Sequence, residues 1–221
     1  MFVGFEFYKY PFFIYYMIIE RPPKLYRMLF PKSIWRIIQK DKKMVYLTFD
    51  DGPIPEVTPW VLDVLDQYNI KATFFCVGDN VRKYPDNYNE ILKRGHKVGN
   101  HTHNHVQGWK TLGRKFVNNV EKSSNYIQSN LFRPPHGHMF IYQLTHLHYL
   151  GYKTIMWDVV TRDYSKRMTP QQVFNNVKKY TRNGSIIVFH DSLKAEDNLR
   201  YALPHSIEWL LKEGYTFGEI K

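Results

Sequence analysis

From residue 44 onward, short runs rich in β-branched and aromatic residues alternate with stretches whose apolar positions recur at helical spacing. The short runs, at 45–49, 72–77, 96–100, 131–133, 154–157, 185–190 and 215–218, predict strands. Helical periodicity covers 57–68, 88–94, 116–128, 141–150, 169–180 and 203–212, with Thr169 and Pro170 supplying an N-cap hydroxyl and a first-turn proline. Such alternation, without an internal repeat, predicts a single α/β domain built on a parallel sheet or a closed βα barrel.

The first 40 residues are different in kind. Their apolar stretch, 11–19, falls well short of the roughly 20 residues a membrane-spanning helix needs. Glu20-Arg21-Pro22-Pro23 follows it in place of a small-residue cleavage site, so no cleavable signal is recognised. The expected location is therefore the cytoplasm or the periphery of the cytoplasmic membrane, with the cell envelope as the alternative. Basic residues interleaved with aromatics suit peripheral contact with an anionic membrane through residues 1–40. Two other readings are an extension packed on the domain and translation starting at Met17 or Met28. The chain thus divides into an extension, 1–40, and the α/β domain, 41–221.

Charge narrows the partners. The formal net charge is +11, and residues 1–43 supply +6 of it through nine Lys/Arg against Glu6, Glu20 and Asp41. The remainder is mildly basic, which argues against a nucleic-acid partner. Aromatics at 17% fit either a dense core or a carbohydrate-binding surface. Cys76 is the one cysteine, which excludes an intrachain disulfide, and its apolar neighbours mark it as a small core residue. Oligomeric state is not legible.

Chemistry concentrates at the ends of predicted strands. Asp50 and Asp51 follow Val45–Phe49 in sequence, and adjacent carboxylates at a strand tip call for a cation or hydrogen bonds. In the segment 99–105, His101 and His105 share a direction if it forms a helical turn, whereas His101 and His103 do so if it is extended. Joined to the aspartate pair, two histidines make a metal set with open positions. Arg133 supplies a planar cation for a buried carboxylate, and Pro134, Pro135 and Gly137 stiffen a turn able to aim a backbone N–H at an oxyanion. His190 ends an apolar strand, and a carboxylate such as Asp163 would orient and charge it as a general acid.

The ordered segments TFDDGP (48–53), HTHNH (101–105), RPPHG (133–137), WDVVTRD (157–163) and IVFHD (187–191) resemble the five motifs of the polysaccharide deacetylases, carbohydrate esterase family 4. The resemblance spans residue 44 to about 220 and implies a distorted (β/α) barrel of about seven parallel strands. It further implies one divalent metal, zinc by expectation, held by Asp51, His101 and His105. Asp50 then matches the catalytic base, Arg133 the arginine that holds it, and His190 the general acid tuned by Asp163. Pro135 and His136 fall on the oxyanion turn, whose N–H comes from His136. Val188 matches a position lining the acetyl pocket, and Tyr164 one on the groove wall. The family usually carries tyrosine at His136 and often tryptophan at Tyr164. The implied substrate is a glycan containing N-acetylglucosamine, of chitooligosaccharide or peptidoglycan type. Competing readings are deacetylation of another ester or small amide, such as acetylxylan, and an inactive carbohydrate-binding relative.

Overall fold

The computed structural model describes residues 20–221. Seven strands form one parallel sheet in the order β5-β4-β3-β2-β1-β7-β6: β1 Met44–Asp50, β2 Thr73–Cys76, β3 Lys97–Asn100, β4 Leu131–Phe132, β5 Lys153–Thr154, β6 Val159–Val160 and β7 Ile186–His190. An eighth, β8 Thr216–Phe217, pairs with the first residues of β1. The sheet curls into a half-barrel with helices outside it, which is the α/β architecture expected from the sequence.

Strand β1 is an interior strand, paired with β2 on one side and β7 on the other. Alternation along it sends Val45, Leu47 and Phe49 to the outer core under the helices, and Tyr46 to the inner core. Thr48 and Asp50 share the parity of Tyr46. On β7, Ile187 and Phe189 face outward while Ile186 and Val188 face inward, so His190 shares the inner side with Asp50. The outer layer is dense in rings: Phe49 stacks on Phe74 at 4.9 Å and lies 6.2 Å from Phe189.

Helix α1, Lys24–Met28, precedes β1 and belongs to a segment that straps the gap between the two ends of the sheet. Ile34 donates to the Thr154 carbonyl (2.9 Å) and accepts from Met156 (2.8 Å), extending the β5 edge. Arg36 bridges antiparallel to Ser185, and the Ile37 N–H reaches the Gly184 carbonyl at 2.9 Å. Glu20 accepts from the Val160 N–H of the other edge strand at 2.8 Å. Unpaired edge groups are thereby satisfied by the chain itself. Residues 20–43 are packed on the barrel; the apolar stretch 11–19 lies outside the described residues. No helix among the described residues is long and apolar enough to cross a membrane.

The remaining helices are α2 Thr58–Gln67, α3 Gly78–Lys83, α4 Pro85–Lys93, α5 Arg114–Ser124, α6 Ile141–Tyr149, α7 Pro170–Tyr180 and α8 Glu196–Lys212. Several differ from sequence expectation. Helix α8 begins at Glu196, seven positions before the periodicity suggested, with Glu196 and Asp197 favouring its N-terminus and Pro204 carried inside it. Strand β6 was not expected, because two residues are too few to show a period. Strand β5 stops at Thr154 because Ile155 pairs with Ile34 of the strap.

Asp158 pins the strap. Its buried carboxylate accepts from Arg27 Nη2 (2.7 Å), Arg182 Nη2 and Nε (2.8 and 2.9 Å) and Ser185 Oγ (2.8 Å). Arg36 and Arg21 stand at 3.8 and 4.0 Å. Burial works to raise this carboxyl, but the hydrogen bonds from Arg182, Arg27 and Ser185 outweigh it and hold the pKa near about 2. A depressed folded-state pKa stabilises above the unfolded value of ~3.9, and that stability is lost as pH falls toward about 2. Asp158→Ala is expected to cost ~3 kcal/mol in urea denaturation at neutral pH, leaving arginines unpaired, with the deficit shrinking between pH 4 and 2. An equal deficit at both pH values would mean the loss is one of packing.

Candidate active site

Five strand ends converge on one face of the half-barrel, the carboxyl end where α/β folds place their chemistry. Asp50 closes β1 and is the register partner of His190, which closes β7. His101 follows β3, Arg133 follows β4, and Asp163 follows β6.

Asp50 is buried, and its Oδ1 accepts from Arg133 Nη1 at 2.6 Å. Arg133 is fully enclosed and has a partner for each nitrogen. Nη1 also reaches Thr48 Oγ1 (2.8 Å), Nε the Ile155 carbonyl (3.1 Å) and Nη2 the Met156 carbonyl (3.0 Å). Its guanidinium lies over the Phe75 ring at 4.0 Å. This fork leaves Arg133 one orientation, so it fixes the direction of Asp50 as well as its charge. Burial pushes the Asp50 carboxyl above the ordinary carboxylate range, against the pull of Arg133 and His190.

Asp51 has φ 82 and leaves the strand, and its carboxylate meets His101 and His105. His105 Nε2 stands 3.0 Å and His101 Nε2 3.7 Å from Asp51 Oδ1. One potential donor atom from each of the three lies within 4.8 Å of the others. The convergence is made by a loop: neither the helical turn nor the extended segment considered from sequence forms. Thr102 and His105 both have positive φ (64 and 53), and the Asn119 side chain accepts from the His103 and Asn104 N–H groups. His103 turns away and stacks on Tyr126 at 5.5 Å, so the His101–His103 alternative is not realised. The Arg133 carbonyl accepts from His101 Nδ1 at 2.8 Å, which puts the proton on Nδ1 and turns the Nε2 lone pair toward Asp51. Burial, with His105 beside it, holds His101 well below the usual histidine value, keeping it neutral as a ligand must be. These three residues fit a divalent cation of the zinc type.

His190 donates twice to Asp163: its backbone N–H to Oδ2 and its Nδ1 to Oδ1, both at 2.7 Å. Burial alone would lower this imidazole, yet the charge and hydrogen bond of Asp163, with Asp51 and Asp50 nearby, raise it to about 9. Tyr164 packs edge-on against the His190 ring at 4.8 Å. Pro135 is buried, and His136 sits at φ 58 in the tight turn Pro135–Gly137, its exposed ring 4.9 Å from that of His105. Val188 is buried on the inner face of β7, paired with Val160.

Three contributors escaped the sequence reading. Asp191 supports the Gly52–Pro53 turn, accepting from the Gly52 N–H (3.2 Å) and Thr58 Oγ1 (2.6 Å). A Cβ on Gly52 would fall 2.0 Å from Asp191 Oδ2, so only glycine fits there. Its place next to His190 was the available signal. Asn198 donates to the Asp163 carbonyl at 2.7 Å, and Tyr26 of the strap to the Gly137 carbonyl at 2.9 Å; nothing local marks either.

The polysaccharide deacetylase family profile matches residues 38–155, just over half of the chain. The protein belongs to the polysaccharide deacetylase family. It is 33% identical over 187 residues to a peptidoglycan-N-acetylglucosamine deacetylase of Bacillus cereus, covering 81% of this chain and 87% of that one. A chitooligosaccharide deacetylase of Azorhizobium caulinodans is 29% identical over 167 residues, covering 72% and 79%. Among solved structures, a peptidoglycan N-acetylglucosamine deacetylase in complex with 4-naphthalen-1-yl-N-oxidanyl-benzamide superposes with a TM-score of 0.81 at 30% identity, covering 90% of this chain and 94% of that chain. Family membership accounts for the half-barrel and for the order of the five motif segments along this deacetylase-family chain.

The two adjacent aspartates are held differently, Asp50 by Arg133 and Asp51 beside His101 and His105. His101→Ala is expected to abolish stoichiometric zinc binding measured by elemental analysis, whereas Asp50→Asn, which leaves Asp51, His101 and His105 intact, keeps about one zinc per chain. Loss of metal in Asp50→Asn would move Asp50 into the ligand set.

Proposed function

We propose that the protein is a metal-dependent hydrolase that removes N-acetyl groups from glycans containing N-acetylglucosamine, with peptidoglycan as the leading substrate and chitooligosaccharide second. The observation that carries this is the pairing of two differently held acids and bases across one strand register, Asp50 on Arg133 and His190 on Asp163. Identity to a Bacillus cereus peptidoglycan deacetylase supports the substrate order.

A divalent cation held by Asp51, His101 and His105, zinc by its donor set, would polarise the acetamide carbonyl and acidify a water. Asp50 is then the proton acceptor, aimed by Arg133 and kept basic by burial. The His136 N–H, in the tight turn Pro135–Gly137, serves the developing oxyanion. His190 carries the proton to the leaving amine. An amine leaves poorly unless protonated, so a histidine held cationic to about 9 favours an amide over an ester. Asp50, Asp51, His101, His105 and His190 are all present on one face, which supports an active enzyme over an inactive carbohydrate-binding relative.

Acetate release from N-acetylglucosamine oligomers and from peptidoglycan, with zinc restored or chelated, tests the reading. Chelator-sensitive release is expected, and Asp50→Asn should lose about a thousandfold or more of turnover. An active Asp50→Asn would remove Asp50 from the role of base.

The rate should fall on the alkaline side through about 9, where His190 loses its proton, and on the acid side as Asp50 becomes protonated. Asp163→Asn removes the main support of the imidazolium, so the alkaline limb should shift toward the free-histidine value of ~6.5. An unmoved limb would assign the acid to another group.

A further inference from the structure

The strap carries an apolar surface that the fold does not use. Leu25, Met28 and Leu29 are 72%, 65% and 46% exposed, and Ile38 is 59% exposed further along. In α1 and the residue after it, Tyr26 and Arg27 turn inward while Lys24, Leu25, Met28 and Leu29 turn outward, and exposed Lys32 follows. An apolar trio flanked by lysines therefore stands on the outer wall of the barrel.

Charge says what covers it. Residues 20–43 hold eight Lys/Arg against Glu20 and Asp41, a net +6 of the chain's +11. Beneath α1, the guanidinium groups of Arg21, Arg27, Arg36 and Arg182 all face the single carboxylate of Asp158. Arg21 Nε and Arg36 Nε have no hydrogen-bond partner. Four cations around one buried anion leave this side of the barrel positive, and the exposed Lys24 and Lys32 beside the apolar trio carry that charge to the surface. The chain enters this segment from Pro11 to Ile19, a continuous apolar and aromatic sequence. A second copy of the chain is disfavoured as the occupant, because a two-fold contact would bring +6 against +6. Nucleic acid gains nothing from three exposed aliphatic side chains at the centre of the patch.

We propose that the strap docks the enzyme on an anionic phospholipid bilayer, with Leu25, Met28 and Leu29 entering the interfacial region and the flanking Lys24 and Lys32 meeting lipid phosphates. Tyr26, on the inward side of the same helix, hydrogen-bonds the Gly137 carbonyl, so docking would set the catalytic groove beside the membrane surface.

The test is sedimentation of the full-length protein with vesicles of phosphatidylglycerol and phosphatidylcholine, and with phosphatidylcholine alone. Partition onto the anionic vesicles should be at least about tenfold greater and should weaken at high salt. Leu25→Ser/Met28→Ser and Lys24→Glu/Lys32→Glu should each lower it about tenfold, with melting temperature and acetate release from soluble oligomers unchanged. Partition unaffected by either double variant, or equal on the two vesicle types, would overturn the proposal. So would a dimer formed without vesicles and lost in Leu25→Ser/Met28→Ser, which would make a second copy the occupant. The readout is vesicle partition, so failure of the deacetylase reading would leave it standing.

Discussion

Everything at the catalytic face depends on one buried pair, Arg133 and Asp50. A guanidinium taken wholly out of water is tolerated only if all its donors find acceptors, and here they find Thr48 and Asp50 on β1 and two carbonyls beyond β5. The arginine thereby stitches three separate parts of the sheet at their carboxyl ends. The Arg133 carbonyl also accepts from His101 Nδ1, so the residue that aims Asp50 orients a histidine of the candidate metal site too. Asp50 and the Asp51/His101/His105 cluster are thus tied to one another through a single buried residue.

Pleat parity explains why Asp50 and His190 arrive on the same side. Asp50 and His190 are direct partners across β1 and β7, and both lie on the inner side because the residues two before them, Thr48 and Val188, do. A one-residue slip between these strands would send His190 into the outer core of phenylalanines. The stacked Phe49, Phe74 and Phe189 rings therefore do more than bury area, since they make the wrong register costly.

Much of this was legible in the residues. The β1 and β7 strands read clearly because they are continuous apolar runs, and five chemistry-bearing segments each stood at a strand end. Asp51, His101 and His105 do come together, but through a loop with two positive φ angles that no periodicity encodes. Strand β6 and helix α3 were too short to show a period. The roles of Asp191, Asn198 and Tyr26 depend on partners 133, 35 and 111 residues away, and such contacts exist only once the chain has folded.

The strap is the part that local pattern served least well, and physically it is not an appendage. A curled parallel sheet that fails to close leaves two edges whose N–H and C=O groups need partners. The segment from Glu20 to Ile37 supplies them at both β5 and β6, while Arg27 ties it to Asp158. Its polar side chains then reach the catalytic loops: Tyr26 bonds to Gly137, and Glu20 pairs with Arg162 at 3.0 Å beside Asp163. Covering the sheet edges and steadying the turn and loop that carry His136 and Asp163 are thus one structural act. The basic character of this stretch follows from the same demand, because a helix laid over a buried aspartate needs cations on its inner side, and the lysines and leucines left on its outer side are free to take up another task.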